Sequence, residues 1–131
     1  MKLTRLDHFG LDVADLARAE AFYTAILGMT VEMRLADQLL LRYGDGACAL
    51  FLKPDRSTGG LEQIRNPLGT SHHCFEVAHD ELEEAERVFR DRGIPHHARI
   101  DWGDHDCLYF LDPDGNLLEL VGYRRAPGTA P

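Results

Sequence analysis

No apolar run in the chain approaches the ~20 residues of a membrane-spanning helix, and Met1-Lys2-Leu3-Thr4-Arg5 lacks the apolar core of a secretory leader. Cysteine is scarce: Cys48, Cys74 and Cys107 are odd in number and show no CxxC spacing, so reduced thiols are expected rather than a disulfide frame or a zinc knuckle. Basic residues are in deficit, 14 Lys and Arg against 22 Asp and Glu, for a net charge of −8. A chain this acidic is repelled by phosphate backbones and anionic lipid. These absences predict a cytoplasmic protein whose partners include neither nucleic acid nor membrane.

What is present is ordinary for a folded protein: 44% hydrophobic and 27% charged residues over a length of 131, enough for one domain or two small fused modules. The unusual feature is the presence of seven histidines.

Leu6 to Val13 alternates, with Phe9, Leu11 and Val13 on one face and His8, Gly10 and Asp12 on the other, the period of a half-buried strand. Asp15 reads as a helix N-cap, and Leu16, Ala19, Tyr23, Ile26 and Leu27 recur at helical spacing until Gly28. Met29 to Arg34, Gln38 to Tyr43 and Cys48 to Leu52 read as strands, the last two joined by Gly44-Asp45-Gly46. Residues 54–70, with Pro54, Gly59, Gly60, Pro67 and Gly69, carry no periodicity and are expected to be a linker. The pattern then restarts. Ser71 to Val77 alternates, Leu82, Ala85, Val88 and Phe89 form a helical stripe ending at Gly93, and strands are expected at Ile94 to Ile100, Cys107 to Leu111 and Asn116 to Val121. Arg124 to Pro131 reads as a loose tail.

Superposing the halves places His8 on His72, Val13 on Val77 and Gly28 on Gly93, an internal duplication. The expected fold is α+β: two βαβββ modules, 1–53 and 71–123, forming a cup-shaped antiparallel sheet with helices outside. Strand parity turns Phe9, Leu11, Val13, Phe75 and Val77 toward the helices, so His8 and His72 face the cup and His73 faces away. Glu119 interrupts the apolar run Leu117-Leu118-Glu119-Leu120-Val121, where a carboxylate is costly unless paired or bound to a metal. One strand histidine alone would ordinarily be a surface group. Histidines at equivalent positions of two modules, with an embedded carboxylate, point instead to a divalent ion held by His8, His72 and Glu119 with coordination positions left open.

The blocks LDHFGLDVADL and FYTAILGM in the first module, and SHHCFEV, ERVFRDRGI and LYFLDPDGNLLELVG in the second, resemble the vicinal oxygen chelate superfamily of glyoxalases, bleomycin-resistance proteins and extradiol dioxygenases. The resemblance implies paired βαβββ modules, a metal held by His8, His72 and Glu119, a small-molecule substrate, and a homodimer with modules exchanged. It also sorts the possible reactions. Relatives resembling lactoylglutathione lyase use a carboxylate on the last strand of the first module; here Cys48-Ala49-Leu50-Phe51-Leu52 offers none, and Cys48 is the one conceivable substitute.

Three protein ligands suit ring-cleaving extradiol dioxygenases, with Fe(II) the expected ion and Mn, Zn, Ni or Co compatible, or fosfomycin-resistance thiol transferases. Leu108-Tyr109 through Asp112-Pro113-Asp114-Gly115 to Glu119 matches the end of the extradiol signature, but its upstream histidine is missing. His105 lies only three positions before Leu108 and is a candidate acid-base group or a solvated loop residue; His96, His97 and His79 read as structural. The fosfomycin branch implies a threonine where Gly10 stands, and Asp101 and Asp104 would repel a phosphonate. Tyr109 is expected to contact substrate, and Trp102 to wall the pocket. A non-enzymatic drug-binding protein is the remaining alternative, which three intact ligands would leave unexplained.

Overall fold

The computed structural model describes residues 1–56 and 60–125. It divides into two compact units, Met1–Thr58 and Gly59–Pro131. Each carries one four-stranded sheet, so the class is α+β with a βαβββ module in each unit.

The first unit runs β1 (His8–Val13), α1 (Leu16–Ala25), β2 (Thr30–Arg34), β3 (Gln38–Tyr43) and β4 (Gly46–Leu52), with sheet order β1-β4-β3-β2. Asp15 caps α1 as expected, its carboxylate accepting the Arg18 N–H at 3.0 Å. The helix is shorter than its periodicity suggests: Ile26 is already the C-cap, and Gly28 turns the chain at a φ of 69°. Ala19, Phe22 and Tyr23 of α1 are buried, with Phe9 and Val13 of β1 and Leu39, Leu41, Cys48 and Leu50 of the neighbouring strands.

The second unit runs α2 (Leu61–Arg65), β5 (His73–Glu76), α3 (Glu81–Arg92), β6 (Ile100–Asp101), β7 (His105–Leu111) and β8 (Leu117–Tyr123), ordered β5-β8-β7-β6. The two strand orders are the same permutation, which is the duplication visible in the sequence. Glu81, Glu83 and Glu84 in the first turn of α3 and Arg90 and Arg92 in the last complement the helix dipole. Its apolar stripe buries Leu82 and Phe89, the latter packed on Phe110 with ring centroids 4.7 Å apart and the rings tilted by 31°.

Four expectations need correction. The sheets are mixed, because β1 pairs with β4 and β5 with β8 in parallel. The helical crossover sets β2 parallel to β1, and two reversals, β2 to β3 and β3 to β4, bring β4 back in that direction. The segment 54–70 is not wholly irregular, since Leu61–Arg65 is helical and buries Ile64 against Tyr109, Leu111 and Leu117. One residue in five is too sparse a pattern to read. The strand expected over Ile94 to Ile100 shrinks to Ile100–Asp101 plus a lone bridge from His96 to Phe110. Pro95 has no N–H to donate, and the register slips by one residue between the His96↔Phe110 and Ile100↔Cys107 pairs. Finally, β4 begins at Gly46 rather than Cys48. Of the predicted linker and tail, residues 57–59 and 126–131 lie outside the described residues.

The β7–β8 turn sets the register on which the site depends. Asp112 Oδ1 accepts the N–H groups of Asp114 and Asn116 at 2.9 and 2.8 Å, and Gly115 takes a φ of 80° that other residues rarely adopt. The hairpin therefore pairs Leu111 with Leu117 and, two steps on, Tyr109 with Glu119.

Candidate metal centre

Glu119 sits mid-strand in β8 and is 9% exposed. Its cross-strand neighbours are Tyr109 on β7 and Cys74 on β5, so all three side chains share the sheet face away from the one on which Leu108, Phe110, Leu118 and Leu120 are buried. His72, just before β5, has the same parity as Cys74. Its Nε2 lies 2.8 Å from Glu119 Oε1, and its ring meets Tyr109 edge-on at 5.2 Å and 76°.

The other nitrogen of His72 determines what that short distance means. Nδ1 is 2.6 Å from the carbonyl oxygen of Thr70, a group that only accepts, so Nδ1 carries the proton. In a neutral ring Nε2 then presents a lone pair to a carboxylate lone pair. Only a second proton or a cation between them relieves this opposition. An imidazole whose Nδ1–H is held by a backbone carbonyl while Nε2 points at a carboxylate is the arrangement of a metal-ligating histidine. The donor set therefore fits a divalent ion at His72 and Glu119.

His8, at the start of β1, is similarly oriented: Nδ1 lies 2.8 Å from Asp7 Oδ2, leaving Nε2 as the lone-pair atom. The His8 hydrogen bond holds the Asp7 carboxyl below its ordinary range. His8 belongs to the first unit and the pair to the second; among the described residues no three His, Cys, Asp or Glu side chains form one cluster able to hold an ion.

Three protonated groups surround Glu119. Burial, then the charge of Glu119, pushes the Tyr109 phenol up to about 12. Burial also raises Cys107 to about 11, with the Trp102 N–H working against it and Glu119 with it. Cys74 is raised further, by desolvation of its thiol and then by Glu119. The two thiols were not singled out in the sequence, although strand parity places both on the Glu119 face. Cys107 is 1% exposed and its sulfur accepts the Trp102 indole N–H at 3.1 Å.

His105 shares this face but pairs with Tyr123, four residues along β7 from Tyr109, or about 13 Å at ~3.3 Å per residue. Its Nδ1 lies 2.6 Å from Asp104 Oδ1, and its ring stands between Trp102, centroids 6.5 Å apart and 20° from parallel, and Tyr123 at 5.0 Å. Arg125 covers Tyr123 at 4.2 Å. This aromatic row was legible only in part, from Trp102 and His105. Three other histidines have local partners: His79 binds Asp106, His96 packs on Phe89, and His97 bonds the Ala98 carbonyl.

The register also corrects the reading of Cys48. It pairs with Phe9 on the helix-covered face and is fully buried, so it cannot ligate alongside His8. The residue of the first unit that corresponds to Glu119 is Ala49, which pairs with Gly10 and Leu40 as Glu119 pairs with Cys74 and Tyr109. No carboxylate stands there.

The family model of the Glyoxalase/Bleomycin resistance protein/Dioxygenase superfamily matches residues 5–120. Glutathione transferase FosA from Serratia marcescens is 28% identical over 118 residues, 90% of this chain and 80% of its own. Biphenyl-2,3-diol 1,2-dioxygenase 3 from Rhodococcus globerulus is 31% identical over 120 residues, 88% of this chain but 62% of its own length. Among solved structures, the fosfomycin resistance protein FosX from Listeria monocytogenes, complexed with Mn(II) and sulfate, superposes with a TM-score of 0.76 at 19% identity, covering 93% of this chain and 92% of that one.

Proposed function

Because the chain belongs to the Glyoxalase/Bleomycin resistance protein/Dioxygenase superfamily, we propose that it is a divalent-metal-dependent enzyme in which His8, His72 and Glu119 hold the ion and a small oxygenated or aromatic molecule is the substrate. One observation carries this reading: with Nδ1 held by the Thr70 carbonyl, His72 turns Nε2 toward a mostly buried carboxylate at 2.8 Å. His8 is the third ligand on the strength of its equivalence to His72 in the duplicated sequence. When bound, the ion supplies Lewis-acid polarisation of vicinal substrate oxygens and, as Fe(II), a redox partner for dioxygen.

The chain's own groups do the rest. Tyr109 stays protonated at neutral pH and donates its O–H to a substrate oxygen beside Glu119. The row of Trp102, His105 and Tyr123 offers planar surface on the same sheet face, which suits an aromatic substrate. His105 is the candidate proton carrier at that end. Ring-cleaving dioxygenation of a catechol-like substrate is therefore the leading reading, supported by the 31% identity to the biphenyl-diol dioxygenase.

Thiol transfer to an epoxide is the second reading, favoured by the match to glutathione transferase FosA. Against it, the nearby arginines are already matched: Arg99 with Glu86 and Asp106, Arg124 with Asp101 and Asp106, Arg125 with Glu76. A phosphonate would have to displace those carboxylates. Lactoylglutathione lyase chemistry is disfavoured by Ala49. We further propose a cytoplasmic homodimer with exchanged modules, His8 of one protomer joining His72 and Glu119 of the other. A fully active monomer in sedimentation contradicts the exchange.

The test loads metal-free protein with Fe(II), Mn(II) or Zn(II) and measures oxygen uptake with a catechol panel, and glutathione adducts of fosfomycin by mass spectrometry. Oxygen uptake with Fe(II) that is lost in His72→Ala supports the dioxygenase. Adduct formation without oxygen uptake establishes the transferase, and tight substrate binding without any metal dependence returns the protein to a drug-binding role.

A further inference from the structure

The turn between β6 and β7 carries Trp102 and leads into His105, the two residues that begin the aromatic row on the Glu119 face. Within it the Trp102 N–H donates to the His105 carbonyl at 2.9 Å, the Gly103 N–H donates to Asp101 Oδ1 at 2.8 Å, and Gly103 takes a φ of 97°. The strand that enters the turn is only two residues long, Ile100–Asp101, and lies at the edge of its sheet. So short a strand gives a turn little to stand on.

One residue from outside grips the turn at several points. Arg124, just past β8, donates from Nη1 to the Gly103 carbonyl at 2.7 Å and to Asp101 Oδ1 at 3.2 Å. Its Nη2 donates to Asp106 Oδ1, and its backbone N–H to the Asp104 carbonyl at 2.8 Å. Asp106 is 4% exposed and is held also by His79 and Arg99, so the Nη2 end of the fork is anchored in the fold while the Nη1 end reaches the turn. A planar guanidinium transmits that orientation, and a flexible ammonium does not.

The turn in its place sets where the Trp102 ring stands. Its indole N–H donates to Cys107 Sγ at 3.1 Å, which lays the ring over β7 on the face of Tyr109 and Glu119, although the residue is 51% exposed. Sulfur is a weak acceptor, so an exposed ring with this bond needs a fixed backbone beneath it.

We propose that Arg124 is a positioning residue for the substrate face: by tying the turn at 101–104 to buried Asp106, it holds Trp102 over β7, where the ring meets a planar substrate. The inference rests on the aromatic-substrate reading above for what Trp102 meets, while the hold itself is read from Trp102 directly.

Trp102 is the one tryptophan of the chain, so its fluorescence reports on the turn without reference to turnover. Arg124→Met is expected to shift the emission to longer wavelength and to raise its quenching by acrylamide. Arg124→Lys keeps a charge beside Asp106 but loses the fork; it is expected to melt near the wild type and still show the red shift, and it serves if Arg124→Met fails to fold. Arg99→Met removes another partner of Asp106 without touching the turn and is expected to leave the emission unchanged. Affinity for biphenyl-2,3-diol is read by calorimetry on Mn(II)-loaded protein without oxygen. Both Arg124 variants are expected to weaken it roughly 3–10-fold, the order of one aromatic contact, with Mn(II) affinity unchanged. Wild-type emission in every Arg124 variant that folds, or an equal shift in Arg99→Met, overturns the hold. Shifted emission with wild-type diol affinity overturns the role in substrate binding. Failure of the wild type to bind the diol overturns the aromatic-substrate reading instead, and the emission of the variants then decides the hold by itself.

Discussion

His72 turns Nε2 to within 2.8 Å of Glu119 Oε1 while its Nδ1 donates to the Thr70 carbonyl. The contact is formed by a strand register and a backbone carbonyl, not by a flexible surface pair. It gives the metal hypothesis consequences that separate from those of an ordinary salt bridge.

Replacing Glu119 by Gln keeps the shape of the site and removes the charge. Divalent-ion affinity is expected to fall by more than the roughly 10–100-fold attached to outer partners. Without metal the variant should be at least as stable as the wild type, since a mostly buried carboxylate is costly. Calorimetric metal titration and urea melts of the metal-free proteins check the pair of outcomes, and a loss of metal-free stability would mark Glu119 as a simple ion-pair partner.

Tyr109→Phe removes one hydroxyl from the Glu119 face. Metal affinity should stay near wild type while kcat falls about 10–100-fold, or ~1.4–2.7 kcal/mol of transition-state stabilisation. Steady-state kinetics beside a metal titration separate the two. An unchanged kcat would make Tyr109 a packing residue.

Asp106 contributes to the acid limb of stability. Burial alone would raise its carboxyl, but hydrogen bonds from His79 and Arg124 outweigh this and hold it below the ordinary range. A depressed carboxyl stabilises the fold above its unfolded value of about 4 and loses that contribution as pH falls through the lower folded value. Asp106→Asn is expected to cost roughly 2–3 kcal/mol at pH 7, less than a fully buried pair because Arg99 and Arg124 remain 30% and 35% exposed. The gap between wild type and variant should close as pH drops below about 4, which thermal melts across pH will show.

Gly122 lies where β8 passes under the start of α3. A Cβ there would stand 2.7 Å from His79 Cα and 3.0 Å from Leu82 Cδ1, and the backbone atom cannot swing away. Gly122→Ala should cost about 1–3 kcal/mol, a fall in Tm of roughly 4–12 °C for a chain of this size. Unchanged Tm would show that the helix shifts freely on the sheet.

Much of this was readable in the sequence because it follows from short-range chemistry. The alternation around His8 and the turn residues Asp112 to Gly115 dictate parity and register, and those two rules alone place Tyr109 beside Glu119. The parallel pairing of β1 with β4 was not readable, since strand direction depends on how many reversals separate two segments, not on their composition. The Thr70 carbonyl was equally hidden: a backbone acceptor leaves no mark in residue identity. Cys74 and Cys107 were available from parity, but attention to disulfide and zinc spacing passed over their place on the Glu119 face.

The central claim is tested most directly by metal content. Wild-type protein purified without oxygen and its His72→Ala variant would be compared by elemental analysis, per mole of chain. The account predicts one divalent ion per chain in the wild type, iron for the leading reading, and essentially none in the variant. Equal metal in both proteins, or none in the wild type even after exposure to Fe(II) and Mn(II), would contradict it.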